Sequence, residues 1–158
     1  MKRILQGLGW LAYWGGWPAF WIYLRLGHGR TRVVVWHDHK VLVVRQWIGD
    51  GRWQLPGGGM HKRELPTPAA LRELYEETGI QLTEAQLTFV GEAVHRTRGS
   101  TFDMHIFSTQ VDNTDVKLQH HELVDYAWLP PDQLTVRNTH SDALTAVQMV
   151  ALPQSVVK

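Results

Sequence analysis

The chain has 158 residues, of which 44% are hydrophobic and 20% charged, and its formal net charge is +1. These values are typical of one folded domain and exclude a disordered protein. The near-neutral charge creates no overall field that would attract a polyanion, so no specific nucleic-acid partner is indicated. The sequence contains no cysteine, which excludes disulfides, thiolate zinc sites and a cysteine nucleophile.

The first 30 residues differ in composition from the rest. The stretch Ile4–Leu24 carries no charged side chain and is about as long as the ~20 residues that span a bilayer. Its tryptophans recur at helical spacing and form one stripe: Trp10, Trp14, Trp17 and Trp21. Glycines and Pro18 interrupt the middle of this run. We interpret residues 1–30 as an apolar helical segment that precedes a domain at 31–158.

Two interpretations of this segment stay open. In one, residues 4–26 attach the protein to the inner face of a membrane with the domain in the cytoplasm, and the cations Arg25, Arg30 and Arg32 meet anionic headgroups. In the other, the stripe packs on the domain's own surface or on a second copy, which would make a homodimer.

From Thr31 onward the pattern becomes that of a folded domain. The run "TRVVVWHDHKVLVVRQW" predicts a β-hairpin with its turn at His37–Lys40. The glycine-rich "DGRWQLPGGG" predicts a loop. A helix is expected from Pro68 to Thr78, with Thr67 as its N-cap and Gly79 just past its end.

The second half of the chain predicts three more strands and a last helix. The strands correspond to "LTFVGEAVHR", "TFDMHIFSTQV" and "VDYAWLP", and the helix to Ser141–Val150. The resulting order β-β-α-β-β-β-α predicts an α+β or α/β/α layered domain with a mixed sheet.

The predicted helix in "LRELYEETGI" has an unusual acidic face. Glu73, Glu76 and Glu77 fall within an arc of about 100°. Such a face is ordinarily just solvated, but here the acids lie toward the helix C-terminus and one pair repels at i,i+4. A hard divalent cation would reverse both penalties, since carboxylate oxygens suit Mg²⁺ or Mn²⁺. Arg72 lies four residues before Glu76 and is placed to hold that carboxylate.

The loop before the helix has a composition that suits the same site. Its three consecutive glycines, residues 57–59, allow a ligand to approach the backbone closely and offer carbonyl oxygens to a metal. Glu64 adds another acid before the helix begins.

These residues match a known family. Gly58, Glu64 and the stretch from Arg72 to Ile80 fit the Nudix box, GX5EX7REUXEEXGU with U an aliphatic residue, at every defined position. From about Thr31 to Leu152 the chain resembles the Nudix hydrolases, and its first 30 residues lie outside the resemblance.

The resemblance implies an α/β/α sandwich that hydrolyses a nucleoside diphosphate linked to another group with Mg²⁺ or Mn²⁺. It implies metal ligation by the carbonyl of Gly57 and by Glu73, Glu76 and Glu77, the last two also being catalytic. It assigns to Arg72 the orientation of the acids.

Further candidates complete the expected site. Gly58 and Glu64 are expected on the substrate side, where Glu64 is a supporting acid. Glu122 lies where some relatives carry a catalytic acid on a later loop, the alternative being an exposed carboxylate. Arg45, on the strand that enters the site, is a candidate for phosphate contact or an ordinary surface arginine.

The substrate is less well defined than the reaction. The loop "LPGGG" differs from the "PQGG" form typical of RNA 5′-pyrophosphohydrolases and resembles that of general nucleotide-cleaning branches. A nucleotide-type small molecule is the expected partner. The rival interpretation is a Nudix-fold binding or sensing module without catalysis, and the complete box favours the enzyme.

Overall fold

A computed structural model describes residues 29–97, 100–118 and 123–151. Residues 1–28 of the predicted apolar segment 1–30 lie outside the described residues, as does the candidate acid Glu122. Within these ranges the strands are β1 (Arg30–His37), β2 (Lys40–Gln46), β3 (Thr88–Thr97), β4 (Ser100–Gln110) and β5 (Leu123–Leu129), and the helices are α1 (Pro66–Thr78) and α2 (Ser141–Ala151). No helix in the same ranges is long and apolar enough to cross a bilayer.

The five strands form one mixed sheet in the order β3-β4-β1-β2-β5. Strands β1 and β4 run parallel, whereas the other neighbouring pairs are antiparallel. Two apolar clusters show that both faces of the sheet are covered. One joins Val33 and Val35 to Ala70 and Leu74 of α1, and the other includes Val34 together with residues of α2. The predicted order of elements and the α/β/α sandwich are therefore confirmed.

The first hairpin turns tightly, as predicted. Asp38 and His39 have positive φ angles of 45° and 61°. Two successive left-handed residues are the geometry of a two-residue hairpin whose twist matches the strands it joins. Trp36 pairs with Val41, and His37 pairs with Lys40.

The predicted start of α1 is wrong by two residues. The helix begins at Pro66, and the residue before it, Leu65, caps the helix without a side-chain hydrogen bond. Proline is suited to the first helical position because its φ is preset and it lacks the N–H that would be unsatisfied there. The predicted N-cap Thr67 is therefore already inside the helix. The predicted end is confirmed, since Gly79 is left-handed with φ 71° and donates its N–H to the Tyr75 carbonyl.

The glycine-rich loop is held on two strands. The Thr31 N–H donates to the Gly58 carbonyl, and the Val33 N–H donates to the Pro56 carbonyl. On its other side, Gln54 exchanges two hydrogen bonds with Val44 of β2. Because these bonds join the loop to the sheet at several points, the glycines have fixed positions beside α1.

Candidate active site

Arg72 is the centre of the acidic cluster. Its Nε and Nη2 form a bidentate pair with Glu64 at 2.8 and 2.9 Å. Its Nη1 donates to Glu73 at 2.8 Å and to Glu76 at 3.0 Å, and Nη2 also donates to the Gly59 carbonyl. The planar guanidinium thus fixes three carboxylates and the loop backbone at once. The expected bond from Arg72 to Glu76 is present, and the bidentate partner is Glu64.

This network lowers the pKa of Glu64 and raises the pKa of Arg72, so both groups stay charged. Hydrogen bonds from Arg72 lower the pKa of Glu64 from 4.5 to about 2, although partial burial acts against this shift. The same bonds, with Glu64 contributing most, raise the pKa of Arg72 above its ordinary value. Glu64 is therefore an ionised carboxylate at any physiological pH, and its charge is committed to Arg72.

The Glu73 carboxylate lies directly against Gly58. A Cβ at position 58 would come within 2.5 to 2.8 Å of the Glu73 carboxylate atoms, which is closer than real contacts allow. Glycine at position 58 leaves room for this carboxylate, because any side chain there would displace Glu73 from its present position. This close approach gives a physical reason for the first glycine of the motif.

Glu77 is the most buried of the three helix acids, with 7% of its surface exposed. Its Oε2 accepts a hydrogen bond of 2.8 Å from the Gly57 N–H. By contrast, the Glu76 side chain is 55% exposed. The helix therefore presents one buried carboxylate with a fixed orientation, that of Glu77, and one that is mostly exposed to solvent, that of Glu76.

The donor set fits a hard divalent cation by its chemistry. Four carboxylates gather around one helix and loop, and carboxylate oxygens are the ligands that Mg²⁺ and Mn²⁺ prefer. Gly58 leaves space beside Glu73 that a Cβ would fill. In the described ranges no three acidic or histidine side chains converge on one point. In this conformation Glu73 and Glu76 each bond the Arg72 guanidinium rather than pointing toward a common centre.

Two other candidates have different surroundings. The Arg45 guanidinium stacks on the Trp53 ring, 3.9 Å from its centroid, and approaches Asp125 at 3.5 Å. Among the hydrogen bonds of the described residues, none joins Arg45 to a box glutamate. A contact between Arg45 and phosphate therefore stays a prediction, as does any role of Glu122.

One buried charged pair was not anticipated as part of the site. Arg32 of β1 is 3% exposed, Asp142 of α2 is 5% exposed, and they form an ion pair at 2.8 Å. The expectation that Arg32 meets membrane headgroups is wrong, because its side chain is enclosed. The sequence could have indicated this burial, because in "TRVVVW" Arg32 lies two positions before Val34 and therefore faces the same side of the sheet as that buried residue.

A family model, the NUDIX domain, matches residues 27–149. The chain belongs to the NUDIX family. The match includes every described element up to the last turn of α2, and it contains the Arg72 cluster. This result confirms the family resemblance seen in the box.

Curated relatives of this NUDIX chain are similar over part of their lengths. A MutT-like protein of Streptomyces ambofaciens is 33% identical over 105 residues, which is 66% of this chain and 64% of that protein. An RNA pyrophosphohydrolase of Pelagibacter ubique is 28% identical over 130 residues, covering 72% of this chain and 82% of the relative. The chain thus spans a little under two thirds of the length of its Streptomyces relative.

Solved structures support the fold. A MutT NUDIX hydrolase from Burkholderia pseudomallei has a TM-score of 0.68 and 20% identity, and the match covers 77% of this chain and 95% of that one. The NUDIX domain of Shewanella oneidensis NrtR, solved with ADP ribose, has a TM-score of 0.63 and 20% identity, covering 77% and 84%. At these identities the structures establish a shared sandwich.

Proposed function

We propose that this protein is a hydrolase that cleaves a phosphoric anhydride bond in a nucleoside diphosphate linked to another group, using Mg²⁺ or Mn²⁺. One observation carries the proposal: Glu64, Glu73 and Glu76 of the complete box form a single bonded cluster around Arg72. A binding module has no need of so many oriented carboxylates, whereas anhydride hydrolysis requires charge neutralisation on two phosphates.

The proposed roles follow from the contacts. A bound divalent cation would neutralise the diphosphate and lower the pKa of a water molecule. Glu73, Glu76 and Glu77 would hold this ion, and the Gly57 N–H keeps the Glu77 carboxylate in a fixed orientation. Exposed Glu76 is the acid best placed to accept a proton from solvent-side water. Arg72 acts as a positioning residue because it bonds Glu73 and Glu76 directly, and Glu64 supports it by fixing the guanidinium.

The proposed substrate class is a nucleotide with an anhydride-linked substituent. Its support is the resemblance of the loop to general nucleotide-cleaning branches, together with relatives named as MutT-like and as an RNA pyrophosphohydrolase. We therefore propose soluble nucleotides before capped or triphosphorylated RNA as the first substrates to test.

A substrate panel with Mg²⁺ tests the proposal directly. Nucleoside triphosphates, nucleotide sugars, ADP ribose, dinucleoside polyphosphates and 5′-triphosphorylated RNA are incubated with the protein, and products are separated by chromatography. Cleavage between phosphates that stops on chelation with EDTA is the expected result. Tight nucleotide binding by calorimetry without turnover of any substrate would instead identify a binding or sensing module.

We also propose that the amino-terminal segment attaches this protein to the inner face of a membrane, with the catalytic domain in the cytoplasm. The support is the uncharged run in residues 4–24, its tryptophan stripe and the neighbouring Arg25. Arg30 remains a second candidate for headgroup contact, although its guanidinium lies 4.9 Å from the Phe102 ring centroid.

Truncation tests this attachment. A chain beginning at Gly29 keeps all five strands and both helices. We expect it to stay folded and active but to stop sedimenting with anionic liposomes. A truncated chain that unfolds, together with full-length protein that ignores liposomes, would show that the segment packs on the domain or on a second copy.

A further inference from the structure

The buried ion pair between β1 and α2 is satisfied on all sides. Arg32 Nε and Nη2 both lie 2.8 Å from Asp142 Oδ2. The other carboxylate oxygen, Asp142 Oδ1, accepts the Ala143 N–H at 2.9 Å. Two of the three guanidinium nitrogens are therefore committed to α2, which fixes the direction of the third.

The third nitrogen reaches the glycine-rich loop. Arg32 Nη1 donates to the Gly57 carbonyl at 2.6 Å and to the Thr31 carbonyl at 3.1 Å. Gly57 also donates its N–H to Glu77 of α1. Gly57 is thus bonded from α1 through its N–H and from the Arg32–Asp142 pair through its carbonyl.

The loop has little freedom to move at this point. Gly57 has a φ of 129°, and a Cβ there would come within 2.9 Å of the Thr31 carbonyl carbon. Gly57 therefore packs directly on the backbone of β1. Since a carbonyl oxygen has two lone pairs, the Arg32 bond to one of them fixes the orientation of the other.

Stability alone is a weak reason for such a pair. Burying two charges has a large desolvation penalty, and well-packed apolar residues often replace a buried ion pair with no loss of stability. A buried pair that also fixes a neighbouring peptide has an additional effect, because supporting bonds behind a metal ligand orient it and tune its affinity.

We propose that Arg32 and Asp142 are positioning residues for the cation site, which act by fixing Gly57 and, through its N–H, the carboxylate of Glu77. This inference rests on the proposed function, since it assumes that the box glutamates hold a divalent cation. The pair lies on the face of the sheet opposite α1 and touches none of the box glutamates in the described hydrogen bonds.

The test separates positioning from stability. The double variant Arg32→Met/Asp142→Leu replaces the pair with apolar side chains, so we expect it to fold. Mn²⁺ binding is measured by electron paramagnetic resonance, and exchange of the Gly57 amide is followed by NMR without metal. We expect Mn²⁺ affinity to fall by about tenfold or more and the Gly57 amide to exchange faster. The control is Arg52→Met/Asp50→Leu, which removes a partly exposed ion pair and the Asp50–His140 contact and should change neither readout.

Each outcome is decisive. A folded double variant with wild-type Mn²⁺ affinity and Gly57 exchange would overturn the inference. If the double variant does not fold, Arg32→Lys is used, because it keeps the charge but lacks the planar fork of donors that bonds Asp142 on one side and Gly57 on the other; unchanged Mn²⁺ affinity and Gly57 exchange there would also overturn it. Wild-type protein that binds no Mn²⁺ saturably would overturn the proposed function, and the inference with it.

Discussion

Helices α1 and α2 cover opposite faces of one sheet, and both carry carboxylates, but in different surroundings. The acids of α1 range from buried Glu77 to Glu76, which is mostly exposed. The acid of α2, Asp142, is enclosed with Arg32. Burial alone would raise the pKa of Asp142, but the charge and hydrogen bond of Arg32 outweigh it and keep the pKa below its ordinary value.

This difference indicates which charges can change partners. Glu76 shares Arg72 with two other carboxylates and faces water, so it can exchange that bond for a cation at small cost. Asp142 is only 5% exposed, and its carboxylate is bonded to Arg32 and to the Ala143 N–H. We therefore expect changes to the acids of α1 to alter mainly activity, whereas removal of Asp142 alone from α2 should alter stability as well as the proposed cation site.

The largest expected effect is on the α2 side. Asp142→Ala leaves the Arg32 charge buried without its carboxylate, and breaking a buried pair in this way costs about 3–5 kcal/mol. Urea unfolding followed by circular dichroism measures the loss. Asp132→Ala, at an exposed position in the short 3₁₀ turn Pro131–Gln133, is the control and should change stability little. A loss of under about 1 kcal/mol for Asp142→Ala would contradict the assigned burial.

The second-largest expected effect is a loss of turnover when acids of α1 are replaced. Glu76→Gln and Glu77→Gln should each lower kcat by about 10²-fold or more while the fold is retained, because each removes charge from the proposed cation site. Steady-state kinetics at saturating Mg²⁺ measures the change, with exposed Glu84→Gln as the control. Near-full turnover by either variant would show that its carboxylate does not bind the ion.

Divalent cations should stabilise the folded protein through the same acids. A ligand that binds only the native state at a hundred times its Kd adds about 2.7 kcal/mol to the free energy of unfolding. We expect Mg²⁺ to raise Tm in differential scanning fluorimetry, and Glu76→Gln to reduce the rise. A shift equal to that produced by NaCl at matched ionic strength would count against cation binding by the free protein.

The smallest expected effect concerns the pH dependence of Glu64. Its pKa is about 2 in the folded protein against 4.5, so folding favours the ionised form. The resulting stability is present above about pH 4.5 and is lost as the pH falls toward 2. Unfolding of the wild type and of Glu64→Gln in EDTA should therefore differ most near neutral pH and converge in acid. A difference independent of pH between 2 and 6 would contradict the Arg72–Glu64 pairing.

The sequence by itself determined the local parts of this protein. Alternating and helical patterns predicted all five strands and both helices, and the glycine after Thr78 correctly marked the end of α1. The spacing of Glu73, Glu76 and Glu77 placed them on one helix face, and the box identified the family. Such features are accessible from sequence because they depend on contacts between residues a few positions apart.

The tertiary structure decided which charges are enclosed and which partners they take. Arg72 bonds Glu64 in bidentate fashion because the loop folds back beside α1, which a helical spacing to Glu76 could not indicate. Arg32 meets Asp142 across 110 positions of sequence, and only the packing of α2 on β1 brings them together. Periodicity predicts the face on which a side chain lies, but the charge that meets it there depends on how distant elements stack.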